Sequence, residues 1–300
     1  MLHYKSNYKT PMKTKAIITS CSNKFFPSII NLLGSIKANY PDHPPIYVYD
    51  LGLFYTFKKE LEKIPGVTLV SMPHFCTHWR SCYTWKTYIL AHPFADLNFY
   101  IDAGCQVLKP LDEDFDIIEK NDYLIIDVNV TFGDLIPDDY KKMFSVPSSY
   151  DNLKGFSAGI FGFKNTESMT QVLHKTYAAA LAGLSLGFSP DNLWRNKGKD
   201  KNMFIRKCAF FRHDQSLLNL FFRLQFGDLP NVLSNNTYDS RSPHAIPSQR
   251  IWHCRLQAKK LEYTKINLLH PDNKINILFH INRILINIVW KYKNLKLWKN

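Results

Sequence analysis

The chain has 300 residues, of which 45% are hydrophobic and 14% aromatic against 21% charged, a balance that excludes disorder and a small disulfide knot and predicts one large domain with an appendage. Lys and Arg outnumber Asp and Glu by 38 to 25, and residues 250–300 alone carry 11 of those bases and 2 of those acids. The basicity is therefore a property of the C-terminal segment, which argues for an anionic partner of that segment and against nucleic acid running through the body.

Six scattered cysteines without a CxxC pair read as free thiols in a reducing compartment. Residues 1–15 are polar and basic with no apolar signal core. No uninterrupted apolar run approaches the roughly 20 residues that span a bilayer. The expectation is a cytoplasmic protein, soluble or peripheral on the inner face of the cell membrane.

In chain order, residues 15–20 read as a buried parallel strand ending in small polar residues, and residues 25–39 as a helix that stops before Pro41. Residues 46–50, 54–63 and 67–70 continue as strand, helix and strand. This alternation predicts a doubly wound α/β sheet with ligands at the C-terminal ends of the strands. No glycine-rich phosphate loop follows the first strand, which counts against a Walker NTPase and a dinucleotide-dependent dehydrogenase. Further on, residues 78–92 predict a helix, 98–108 a strand interrupted by Asp-Ala-Gly, and 123–130 another strand. Residues 155–163 alternate small and large side chains, 166–183 and 213–222 predict helices, and 185–203 form a loop long enough to be a lid.

Asp102 carries the most chemical information. An acid at the end of the apolar run Phe99-Tyr100-Ile101 requires a ligand, a metal or a hydrogen-bond cage, or else caps the following turn. The Ala-Gly that follows permits a tight turn and close approach of a bulky group. Lys86, sixteen residues upstream on a predicted helix, is a source of positive charge for a diphosphate. Asp214 at a helix start is either an N-cap or a site acid kept ionised by the helix dipole. His253, between Trp252 and Cys254, is either a buried structural histidine or a ligand.

Six segments in order resemble GT-A fold glycosyltransferases, nearest to the retaining, family 8-like branch and its bacterial relatives. They are Ile-Ile-Thr-Ser (17–20), Val-Tyr-Asp-Leu-Gly-Leu (48–53), Trp-Lys (85–86) ahead of Tyr-Ile-Asp-Ala-Gly (100–104), Gly-Phe-Ser-Ala-Gly-Ile (155–160), His-Asp-Gln-Ser (213–216) and Trp-His-Cys-Arg (252–255). The resemblance spans residues 15 to about 255. It implies a Rossmann-like, mixed central sheet flanked by helices over residues 12–260. It also implies transfer of a sugar from a nucleotide-sugar donor, a UDP-sugar, to a glycolipid or surface-polysaccharide acceptor.

By position, the resemblance assigns Ser20, Asp50, Lys86, Asp102, Gly104, Ser157 and Gly159 to the donor. It assigns Asp102 with His253 to Mn²⁺ or Mg²⁺, and Asp214 with Gln215 to the donor sugar. Gly104 stands where the family's Asp-X-Asp motif has its second acid, so one metal ligand of the pattern is missing. Lys86, Arg250 or Arg255 could then share the diphosphate charge. A front-face retaining transfer needs no strong base, because the departing phosphate oxygen can take the acceptor proton, whereas inversion needs a carboxylate at the acceptor.

In residues 261–300, Asn276, His280, Arg283, Asn287 and Lys291 recur at helical spacing opposite a wide apolar face. This basic amphipathic segment fits an in-plane helix on an anionic bilayer, or a helix closing the core. Two other readings stand beside the transferase: a nucleotidyltransferase, against which the missing Arg-containing glycine loop counts, and a catalytically silent binding protein of the same fold.

Overall fold

The computed structural model describes residues 13–80, 82–186, 210–228, 232–238, 245–254, 262–266 and 268. The lid loop expected at 185–203 lies outside them beyond Leu186. Also outside are Arg255, the expected boundary at 260 and nearly all of the basic segment.

The sheet begins with β1 (Lys15–Cys21), β2 (Ile46–Asp50) and β3 (Val67–Ser71), with α1 (Phe26–Asn39) and α2 (Tyr55–Leu61) between them. Then come α3 (Thr84–Leu90), β4 (Leu97–Ile101), β5 (Gln106–Val107), α4 (Asp112–Asn121) and β6 (Tyr123–Thr131). The short helices α5 (Phe132–Leu135) and α6 (Asp138–Met143) lead to β7 (Lys154–Phe156), β8 (Ile160–Lys164) and α7 (Glu167–Leu181). Helix α8 (His213–Phe226), β9 (Val232–Leu233), α9 (Asn235–Tyr238) and β10 (Ile251–Trp252) follow.

The strands run in the order β3-β2-β1-β4-β8-β6-β7, with β9 beside β6. β3, β2, β1 and β4 are mutually parallel, whereas β8 is antiparallel to both β4 and β6. The sheet is thus mixed, as expected. Its central strands β1, β4 and β8 are buried on both faces, so they read as apolar runs without alternation. Successive residues nevertheless point to opposite layers. Ile17, Phe99 and Ile101 pack with α1 and α4 residues such as Phe26 and Phe115, whereas Ile18 and Tyr100 pack with Ile89, Leu173 and Leu217 of α3, α7 and α8.

Two expectations are corrected. The helix expected over 78–92 starts only at Thr84, because Tyr83 turns left-handed at φ 55. The strand expected over 98–108 stops at Ile101, and Gln106–Val107 leave the main sheet to pair with β10. The segment 155–163 is two strands separated by Ser157–Gly159. The packing continues past residue 260: Tyr263 N donates to Asn31 Oδ1 on α1 at 3.0 Å, and Leu268 is buried in the α1 layer. Cys21, Cys82, Cys105 and Cys254 are buried free thiols and Cys76 is a half-buried one. No helix among the described residues is long and apolar enough to cross a membrane.

Candidate active site

The parallel strands deliver Ser20, Asp50 and Asp102 to one edge of the sheet, at or just beyond their C-terminal ends. Because β8 runs antiparallel to β4, the turn that precedes it arrives at the same edge. Asp102 N donates to Gly159 O at 2.7 Å, extending that ladder by one residue. Gly159 is required there, since a Cβ would stand 2.8 Å from Asp102 Oδ2. Ser157 Oγ accepts from Gly159 N at 3.0 Å and so shapes the turn itself.

Lys86, on α3, reaches this edge. Its ammonium donates to Asp102 Oδ1 at 2.9 Å and to Ala158 O at 3.3 Å, and lies 3.6 Å from Asp214 Oδ2. The Tyr100 hydroxyl also donates to Asp102 Oδ1, at 2.8 Å, and lies 3.2 Å from Ser20 Oγ. Sequence reasoning missed Tyr100 as a site residue; its signal was a hydroxyl on a buried strand two positions before an acid. Burial pushes the Asp102 carboxyl up, but the Lys86 charge and hydrogen bond, with help from His253 and Tyr100, hold it below the usual carboxylate range. Burial pulls the Lys86 ammonium down, and the opposing charge of Asp102, reinforced by Tyr100 and Asp214, raises it well above its ordinary value. Asp214 lacks so close a partner, and burial pushes its carboxyl up to about 6, with Lys86 opposing and Asp102 reinforcing.

Asp214 opens α8. The preceding His213 has φ 46, and its Nδ1 lies 2.6 Å from Ser185 O. Ser185 Oγ in turn lies 2.9 Å from Thr84 Oγ1 at the start of α3. One fully buried serine therefore ties together the helix starts that carry Lys86 and Asp214. Gln215 does not face the cluster with its amide: Nε2 donates to Phe156 O at 3.0 Å, beside two Asn219 bonds to the same residue. It fixes the strand leading into Ser157.

The antiparallel pair β5–β10 brings His253 close enough for its charge to act on Asp102, and Cys254 Sγ donates to Gly104 O at 3.3 Å. Arg250 is turned away, toward Glu113 and Asp114 on α4. Asp50 sits at the shared edge but is engaged locally: its Oδ1 accepts from Gly52 N and Leu53 N at 2.8 and 2.6 Å, and Oδ2 pairs with Lys58 at 2.5 Å.

Among the described residues, the protein's own side chains fall short of a three-ligand divalent-cation site. Gly104 contributes no acid, Asp102 Oδ1 already takes two hydrogen bonds, and no group of three His, Cys, Asp or Glu among the described residues could hold a metal ion.

No protein-family model and no curated protein matches the chain. Solved structures do. The apo form of WbbM, a bifunctional glycosyltransferase, aligns with 95% of this chain and 51% of its own, at 13% identity and a TM-score of 0.54. The apo glycosyltransferase GlyE of Streptococcus pneumoniae TIGR4 aligns with 85% and 61%, at 13% identity and a TM-score of 0.50. The chain spans between half and two thirds of the length of these structures. At such identity the likeness establishes the fold, which is that of GT-A glycosyltransferases, α/β with a mixed central sheet.

Proposed function

We propose that the protein is a glycosyltransferase of the family 8-like, retaining kind. It moves a hexosyl group from a UDP-sugar to a glycolipid or surface-polysaccharide acceptor. The observation that carries this reading is the Lys86 ammonium set between Asp102 and Asp214 at the C-terminal edge of the parallel strands. Open α/β sheets bind their ligands at that edge.

In this reading Ser20, Asp50, Ser157 and Gly159 line the donor, and Lys86 and Asp102 orient its diphosphate and sugar. The leaving diphosphate creates positive charge on the sugar ring. Asp214, largely ionised at pH 7, is placed to stabilise that charge. Gln215 steadies the Phe156–Gly159 turn that abuts the sugar. The acceptor hydroxyl gives its proton to the departing phosphate oxygen, so the chain need not supply a strong base. An acceptor held in a membrane would explain the amphipathic basic pattern of residues 261–300.

The test is calorimetric titration with UDP, GDP, CDP and ADP, followed by donor hydrolysis with UDP-hexoses. Selective binding of UDP and slow release of UDP from its sugar conjugates are expected. Absence of binding by every nucleotide would sink the proposal.

A further inference from the structure

The protein engages Asp102 through one of its oxygens, Oδ1. Oδ1 accepts from Lys86 Nζ at 2.9 Å and from the Tyr100 hydroxyl at 2.8 Å. Oδ2 lies against Gly159, at a spacing where even a Cβ would stand 2.8 Å away. The second acid that could share a metal ion with Asp102 is replaced by Gly104.

The ammonium is held as firmly as the acid. Lys86 is 6% exposed, against 27% for Asp102. Its Nζ bonds Ala158 O at 3.3 Å and lies 5.1 Å from the centre of the Tyr100 ring and 5.6 Å from that of Trp85, faces that attract a cation. A second cation entering at Asp102 would face this one at short range in a poorly solvated site, where like charges repel strongly.

We infer that Lys86 takes the place of a divalent cation at this site, and that the protein binds a nucleoside diphosphate without one. The inference rests on the donor reading given above. A lysine ammonium has three N–H donors. Two are used on Asp102 and Ala158; the third faces Asp214 at 3.6 Å, beyond hydrogen-bond range, and is the one a phosphate oxygen can accept. Asp102 then holds the ammonium in place and does not ligate a metal.

The probe is UDP, titrated calorimetrically into the full chain freed of metal with EDTA and again with millimolar Mn²⁺ or Mg²⁺. The two affinities are expected to agree within about threefold. Mn²⁺ paramagnetic resonance supplies a second readout: protein and UDP together should quench the free-ion signal no more than UDP alone. Lys86→Ala is expected to weaken UDP by at least about tenfold with or without metal, and Lys86→Arg to retain most of the affinity. Thermal melts accompany both variants. If Lys86→Ala fails to fold, Lys86→Arg and the wild-type comparison decide the matter.

Wild-type binding that strengthens more than about tenfold with Mn²⁺, and loses that gain in Asp102→Asn, overturns this inference and leaves the donor reading standing. So does unchanged UDP binding by a folded Lys86→Ala. Failure of UDP and of every other nucleotide to bind under both conditions overturns the donor reading and this inference together.

Discussion

Tyr83 and His213 pack ring to ring, their centroids 5.9 Å apart, and both adopt left-handed backbone, at φ 55 and 46. Tyr83 precedes the helix that carries Lys86, and His213 begins the one that carries Asp214. Such residues cost on the order of 1–3 kcal/mol each and persist where surrounding structure holds them. Here Ser185 does so, reaching Thr84 with its hydroxyl and His213 with its carbonyl.

Ser185→Ala keeps the carbonyl contact and frees Thr84. A neutral hydrogen bond contributes about 1 kcal/mol, so donor turnover is expected to fall roughly fivefold while UDP affinity changes by less than about twofold. Thr84→Val should reproduce the effect, and the double variant should add little. Initial-rate kinetics paired with calorimetry check this; a parallel loss of nucleotide binding would count against a positioning role.

Asp214 should leave a signature in the pH dependence of stability. Its carboxyl is raised from 3.8 to about 6 in the folded state, chiefly by burial, so the folded protein holds this proton more tightly than the unfolded chain. The associated stabilisation is complete below about pH 4 and is lost as pH rises through 6, on the order of 3 kcal/mol. Asp114 is raised to about 6 as well and acts in the same window. Asp214→Asn should therefore make the fall in unfolding free energy between pH 4 and 6 shallower. Denaturant titrations across that range measure it, and an unchanged slope would refute the assignment.

The parallel half of the sheet was readable because its strands are short apolar runs between helical stretches: residues 46–50 coincide with β2, and 67–70 miss β3 by one residue. The start of α3 was not, since the left-handed turn at Tyr83 lacks the glycine that signals one. α4 was overlooked although Asp112, Glu113 and Asp114 stand at its N-terminus and Phe115 and Ile118 mark its buried face. The β5–β10 pair joins two residues to two others far along the chain, and no local pattern announces it. Within the site, Asp102 was legible as an acid ending an apolar run, whereas Lys86 taken alone reads as a surface lysine and gained its role from the family resemblance. That Asp214 completes their cluster, and that Ser185 ties its two helices, depends on tertiary contacts with no sequence period.

Two glycines separate damage to the site from damage to the fold. At Gly159 a Cβ would meet the Asp102 carboxylate, whereas at Gly162 it would meet Ile118 Cδ1 at 2.4 Å, inside the core. Gly162→Ala should lower the melting temperature, at a cost of about 1–3 kcal/mol for overpacking, and leave UDP affinity near wild type in the folded fraction. Gly159→Ala should weaken UDP by roughly tenfold at smaller cost in stability, because the Asp102 side chain must move off the ammonium. Melting curves and calorimetry on the two variants test the contrast, and matching profiles would contradict it.

The last prediction concerns the basic segment. Packing on α1 includes Tyr263 and extends to Leu268, and the site residues end by His253, so a chain ending at Leu268 keeps every contact described above. Removing residues 269–300 should leave a protein that folds and binds UDP but no longer sediments with vesicles containing anionic lipid. Six of the Lys and Arg lie in the removed stretch, against one acid, Asp272. Exposed charges are screened beyond about 8 Å at physiological salt, so rising salt should weaken vesicle binding by the full chain and leave the share due to the apolar face. Loss of the cooperative thermal transition on truncation would instead assign the segment to the core of the domain, and the membrane reading would fall.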